Sequence, residues 1–257
     1  MKTLIYNSYL KPLFKIYHYI QVCLLRISAS LYSQRFDSSR FSKVLIISPH
    51  PDDEVFGCGG LIQSLVQTGK QVEVIILSRG EAIHRHCCPN DESKVIEARS
   101  ELTDVANGVL GIVSEYIHRL DFPDGRFSSV KEGDDLVKAL SDLVHDIAPT
   151  EVFIPHPYEN SPDHVAATRI AEQVLQDYVG KIYYYCVWTW YHMPIYKILK
   201  LKYRNARLLR VLNREAKNKA IDIYINNSAP CGVSYSGNLP KPLIHATRWK
   251  YELFFEA

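Results

Sequence analysis

An uncharged, largely β-branched run, Val44-Leu45-Ile46-Ile47, breaks directly into Ser48-Pro49-His50-Pro51-Asp52-Asp53-Glu54. A run this short and apolar at every position reads as a parallel strand buried on both faces; a half-exposed strand would alternate. One imidazole and two adjacent carboxylates therefore emerge together where a strand ends. Open α/β sheets bind their ligands along that edge. His50, Asp52 and Asp53 suffice for two metal ligands and one base.

From residue 41 onward strand and helix patterns alternate. After the strand at 44–48, Gly57-Cys58-Gly59-Gly60 is expected to open a helix running to about residue 68, with Gly69 as its stop. Strands follow at 71–77, near 116–120, at 151–154 and at 181–188. Helices are expected near 93–109, from Asp134 or Asp135 to about 147, at 163–178 and around 211–224. This order predicts an α/β fold with a Rossmann-like, doubly wound, mostly parallel sheet. The tail from 226 to 257 shows no pattern that places it. We divide the chain into an N-terminal amphipathic helical segment, 1–40, and one main domain, 41–257. The glycine group does not make a dinucleotide site: the third glycine of G-x-G-x-x-G would fall at Ile62, and acidic residues precede the group. They read instead as letting the helix start close beneath the site.

The 257 residues are 47% hydrophobic and 23% charged, which suits one large globular domain with an appendage. A net charge of +2 provides no field that would argue for nucleic acid, and the Lys and Arg residues of 197–219 read as a solvated helix face. The six cysteines have no framework spacing and read as reduced thiols in the cytoplasm. His84-Arg85-His86-Cys87-Cys88 is a soft-ligand group, but no distant partner pair is evident for it, so it reads as an ordinary loop.

In the N-terminal segment Leu13, Ile16, Tyr17, Ile20, Leu24, Ile27 and Leu31 recur at helical spacing. The uncharged stretch 16–25 is about half a membrane span. Arg26 interrupts the apolar region, and His18 and Gln21 dilute it, which weakens a signal-peptide reading. Two readings stay open. The helix packs on its own domain or on a second copy of the chain in a homo-oligomer. Alternatively it lies on a membrane surface, with Lys2, Lys11, Lys15 and Arg26 facing lipid phosphates.

A second constellation, His156-Pro157-Tyr158-Glu159-Asn160-Ser161-Pro162-Asp163-His164, follows the strand at 151–154 and so belongs to the same sheet edge. The two motifs together resemble the zinc-dependent N-acetylglucosaminyl deacetylases of the LmbE-like or PIG-L family. The resemblance covers about residues 41–178 and extends to Ser78-Arg79-Gly80-Glu81 and Arg99-Ser100-Glu101-Leu102, with a weaker echo at 217–227. It implies that His50, Asp53 and His164 bind Zn2+ (Fe2+ suits the same ligands) and that Asp52 is the general base. Asp163 then orients a ligand imidazole, and Arg99 contacts substrate unless it is a helix-surface arginine paired with Glu97 or Glu101. The implied reaction removes an N-acetyl group from an N-acetylglucosamine-type, small-molecule or lipid-linked sugar conjugate.

One position departs from the family pattern: Ser161 stands where it often has a histidine that protonates the leaving amine or stabilises the tetrahedral intermediate. Three outcomes follow from that. His156 replaces the imidazole, Asp52 serves as both base and acid, or the protein turns over slowly or acts on another substrate. Trp188, Trp190 and Tyr191 are candidates for stacking on a sugar, or simply the end of a buried Tyr-rich strand.

Overall fold

The computed structural model describes residues 11–131 and 134–257. Its frame is an α/β sheet whose strands, in chain order, are β1 (Gln34–Arg35), β2 (Lys43–Ser48), β3 (Gln71–Ser78), β4 (Ile117–Phe122), β5 (Glu151–Pro155), β6 (Lys181–Tyr185), β7 (Ala206–Arg210) and β8 (Tyr251–Glu256). They lie side by side in the order β1-β7-β8-β6-β5-β2-β3-β4. The five from β6 to the β4 edge are parallel, with β2 paired to both β3 and β5. The chain's direction of winding reverses between β2 and β5, and a crevice opens there at the carboxyl ends of the strands. Both polar motifs leave the sheet at that crevice.

Successive residues of β2 face opposite sides, and both sides are covered. Val44 and Ile46 join the core beneath α2 (Asp53–Gln67), α3 (Glu92–Leu110) and α8 (Arg214–Asn226). Leu45 and Ile47 join the core beneath α4 (Asp135–Ile147) and α5 (Pro162–Val174). Having both faces buried is why the run shows no polar alternation.

The structure corrects one sequence expectation and places the tail. The glycines do not open the helix: α2 begins at Asp53, and Gly57 lies in its second turn, where an added Cβ would overlap the Tyr185 ring. Their role is close packing of helix on sheet. The unplaced tail forms α9 (Lys241–Thr247) and β8, which runs antiparallel between β6 and β7.

The N-terminal helix α1 (Lys11–Tyr32) packs on its own domain, though not through the stripe the sequence suggests. Val22, Leu25 and Ala29 are buried against Trp190, Met193, Leu243 and Leu253. Leu13, Ile16, Ile20, Ile27 and Leu31 are each about half or more exposed. Arg26 faces inward, its guanidinium on the His245 side chain and carbonyl and over the Trp249 ring, so it cannot serve a lipid phosphate. Lys2 and the side chain of Lys11 fall outside what is described. Among the described residues no helix is long and apolar enough to cross a membrane.

Candidate active site

The turn after β2 holds the key carboxylates apart. Asp52 adopts φ 126°, a left-handed backbone region that a side chain enters at a cost of about 1–3 kcal/mol. Glu54, fully buried, fixes this turn from below: it accepts from the Asp52 N–H at 3.0 Å and the Ser48 hydroxyl at 3.3 Å. Asn107 and Tyr224 hold its other oxygen. The strained residue turns the Asp52 carboxylate away from that of Asp53, so neighbours in sequence serve different tasks.

Asp53 faces the two histidines. Its Oδ2 lies 3.1 Å from His50 Nδ1 and 3.3 Å from His164 Nε2. Burial opposes ionisation of Asp53, but His164 and His50 outweigh it and hold the carboxyl below its usual range. Burial likewise opposes charge on the imidazoles. For His50 the hydrogen bonds of Asp124, Asp163 and Asp53 prevail and raise it above its ordinary value. For His164, Asp53 and Glu159 raise it to about 9. The site is therefore built to hold positive charge.

Asp52 faces the other way. The Ser236 hydroxyl donates to its Oδ2 at 2.7 Å, and an Arg99 nitrogen lies 3.4 Å from the same oxygen. Burial pushes this carboxyl up to about 7, against the Arg99 charge and the Ser236 hydrogen bond. Arg99 is not a helix-surface ion pair: it is 3% exposed, it lines the cleft, and its guanidinium also donates to the Pro51 and Tyr235 carbonyls.

His50, Asp52, Asp53, Ser161, Asp163 and His164 line one cleft of about 520 Å³, within the usual range for a small-molecule site. His156 does not join them. It is buried outside the cleft, its Nδ1 accepting from the Tyr158 N–H at 3.0 Å and its ring against Phe255. Burial lowers it to about 4, so it is neutral where the missing family histidine would need to be a cation. It does not replace the imidazole absent at Ser161. Of the three aromatic candidates, Trp188 alone lines the cleft, stacked on His192; Trp190 packs on Trp249, and Tyr191 on His18.

Several site residues escaped the sequence reading. Asp124, from the turn after β4, lies 3.1 Å from His50 Nε2, with Asp163 at 3.5 Å from the same nitrogen. Those two carboxylates orient His50 from the side opposite Asp53. Glu159 lies 3.3 Å from His164 Nδ1, an ion-pair distance without good hydrogen-bond alignment. It is pinned by the Val187, Trp188 and Thr189 N–H groups and by the Thr189 hydroxyl. His192 also lines the cleft, its Nδ1 3.1 Å from the Glu159 carbonyl. Two of these residues carry a sequence signal: Asp121-Phe122-Pro123-Asp124-Gly125 ends a strand of the same edge, and Glu159 lies within the second constellation.

Two imidazoles and a carboxylate meet within 4.8 Å at the switch point of a doubly wound sheet, beside a carboxyl that burial pushes up to about 7. That defines a Rossmann-like protein with a candidate metal centre and an adjacent buried carboxyl. Residues 45–175 match the family model PIG-L, GlcNAc-PI de-N-acetylase, and the chain belongs to that family. It is 31% identical over 125 residues to the diacetylchitobiose deacetylase of Thermococcus kodakarensis. That match spans 48% of this chain and 45% of the enzyme, less than half the relative's length. Two solved structures share the fold. A teicoplanin-pathway deacetylase aligns with TM-score 0.62 at 16% identity, over 84% of this chain and 97% of that one. GalB, the 4-carboxy-2-hydroxymuconate hydratase of Pseudomonas putida KT2440, aligns with TM-score 0.56 at 21% identity, over 71% and 78%.

Proposed function

We propose that this protein is a metal-dependent N-deacetylase that hydrolyses the acetamide of an N-acetylglucosamine-type sugar conjugate, releasing acetate and a free amino sugar. The observation that carries this reading is the division of labour at one turn: Asp53 faces His50 and His164, while strained Asp52 stands beside them with its carboxyl pushed up to about 7. His50, Asp53 and His164 fit Zn2+, or Fe2+, in donor type and spacing. Bound there, the cation supplies Lewis acidity, which polarises the amide carbonyl and lets water attack at neutral pH.

The chain's own residues do the rest. Asp52 accepts the proton of the attacking water; its contacts with Ser236 and Arg99 fall on Oδ2, which leaves Oδ1 for the transfer. A carboxyl near pH 7 is matched to both taking and returning a proton. Asp52 therefore also protonates the leaving amine, since Ser161 lacks a cation, His156 is buried elsewhere, and burial lowers His192, whose Nδ1 is engaged by the Glu159 carbonyl. Asp124 and Asp163 fix the His50 ring, and Glu159 stands behind His164. Trp188 and His192 form a wall suited to a sugar face and its hydroxyls.

The rival reading is a family member acting on a non-sugar amide, or one that binds metal with little turnover. Ser161 favours it, and the fold of a hydratase such as GalB accommodates other chemistry. A panel of N-acetylhexosamine conjugates and simple N-acetyl amides, scored for acetate and free amine, separates the readings. The sugar conjugates should be turned over preferentially; acetate from the non-sugar amides alone would overturn the proposal.

The same proposal places the reaction at a membrane surface. The exposed stripe of α1 adjoins α7 (Ile195–Ile198), beside which Leu199 and Lys200 are also exposed. An apolar stripe with lysines beside it suits an anionic lipid interface and a lipid-linked substrate. Replacing Leu13, Ile16, Ile20 and Ile27 by Ser should abolish co-flotation with anionic vesicles. No flotation of the wild type, or a dimer in solution that the substitutions dissolve, would assign this face to another partner.

A further inference from the structure

We propose that His84, Cys87, Cys88 and Cys231 form a second metal site, a structural Zn2+ site that clasps two loops beside the cleft. Residues Ala82–His84 make a single 3-10 turn, after which the backbone folds back: the Cys87 and Cys88 N–H groups donate to the His84 carbonyl at 3.0 and 2.8 Å. That turn gathers one imidazole and two thiols. The fourth donor comes from a distant hairpin-like turn, closed by Ala229 N–H to the Val233 carbonyl and Gly232 N–H to the Ala229 carbonyl, both at 2.8 Å. Gly232, at φ +79°, lets the chain reverse and leaves Cys231 at the tip.

The donor distances suit a tetrahedral ion. Sulfur at about 2.3 Å and nitrogen at about 2.0 Å from a tetrahedral Zn2+ set two sulfurs about 3.8 Å apart and a nitrogen and a sulfur about 3.5 Å apart. His84 Nδ1 lies 3.5 Å from Cys87 Sγ and 3.8 Å from Cys231 Sγ, and Cys87 Sγ lies 3.9 Å from Cys88 Sγ. The Cys87–Cys231 pair is the exception, at 2.6 Å, and has to open by about 1 Å to share an ion. The Tyr235 carbonyl lies 3.3 Å from His84 Nε2, which fixes the N–H there and leaves the Nδ1 lone pair towards the sulfurs. Three thiolates and one imidazole are soft donors that select Zn2+ over Mg2+ or Ca2+. All six cysteines are free thiols.

The clasp would act on the cleft through both loops. Tyr235 and Ser236, just beyond the Cys231 turn, hold Arg99 and Asp52. Glu81 and Ala82, just before His84, hold the Asp124 backbone N–H and carboxylate. Joining the two turns through one ion fixes the partners of the base and of a residue that orients His50. This is a positioning role.

Loading the full-length protein with Co2+ tests the proposal. The cleft set contains no sulfur donor, so a thiolate-to-cobalt charge-transfer band reports the clasp alone. The band is expected in wild type and in Asp53→Ala, and is expected to vanish in Cys231→Ser. Zinc content should fall by one equivalent from wild type to Cys231→Ser. No such band in loaded wild type, or a Cys87–Cys231 disulfide in protein isolated under reducing conditions, would overturn the proposal. If Cys231→Ser does not fold, the wild-type and Asp53→Ala spectra still decide.

Discussion

The cleft cluster and the cysteine cluster are two candidate metal sites built in opposite ways. His50, Asp53 and His164 sit where strands of the central sheet end, on backbone fixed by the core. Their partners are further carboxylates, Asp124, Asp163 and Glu159. His84, Cys87, Cys88 and Cys231 sit on turns outside the sheet and depend on one another for their placement. A preformed, carboxylate-rich site on a rigid edge leaves room for substrate and chemistry. A thiolate site built from two loops leaves no position open and contributes its binding energy to folding.

The comparison predicts that damage to the first cluster abolishes activity with little effect on the second. Asp53→Ala should cost a thousand-fold or more in acetate release, the several kcal/mol that Lewis-acid stabilisation is worth, on the order of a factor of ten per 1.4 kcal/mol. The same protein should keep its clasp metal by elemental analysis; loss of both ions together would join the two sites into one. Asp52→Asn should retain both ions and lose about a hundred- to a thousand-fold in kcat, the usual share of general acid–base catalysis. Metal lost from Asp52→Asn would mean that the two adjacent aspartates are not divided as described.

Damage to the second cluster should act at a distance. Cys231→Ser should lower kcat/KM about ten-fold, as removal of supporting residues around a site commonly does, and should lower the melting temperature. Ser236→Ala in the same assay should reproduce part of the activity loss without the metal loss. An activity change in Cys231→Ser with melting temperature and metal content unaltered would break the link between clasp and fold.

A histidine that belongs to neither cluster sharpens the contrast. Burial lowers His156 to about 4 in the folded protein, against an ordinary value of 6.5. The unfolded chain therefore binds a proton that the folded chain refuses, and stability falls as pH drops from about 6.5 to about 4. The loss reaches about 3 kcal/mol at the acid end. In metal-free protein, His156→Gln should show a shallower fall over that window in urea titrations and near-unchanged turnover at pH 7 once metal is restored. A large loss of turnover would return His156 to the chemistry.

What the sequence disclosed follows from where each residue's constraints are local. Val44 to Glu54 announces both a strand and a site because burial on two faces and the strand end are written in consecutive residues. His164 is readable for the same reason, after β5, the strand beside β2 in the sheet. Arg99 misled because Glu97 and Glu101 lie two residues away, on other helix faces, and its true partners, Pro51, Asp52 and Tyr235, are distant in sequence. Ser236, Glu159 and Cys231 arrive on irregular loops whose paths are set by packing, with no periodicity to reveal them. β8 is hidden because its apolar run is only Leu253 to Phe255, and Glu252 before it, buried against Lys217, reads in sequence as a surface charge.

The most direct test of the account is acetate release from N-acetylglucosamine conjugates by zinc-loaded wild type and zinc-loaded Asp52→Asn, compared at equal metal content. The account predicts acetate and free amine in equal amounts from the wild type, and a rate at least a hundred-fold lower from the variant. Fully loaded wild type that releases no acetate from any conjugate, or a variant that releases it as fast, would contradict the assignment.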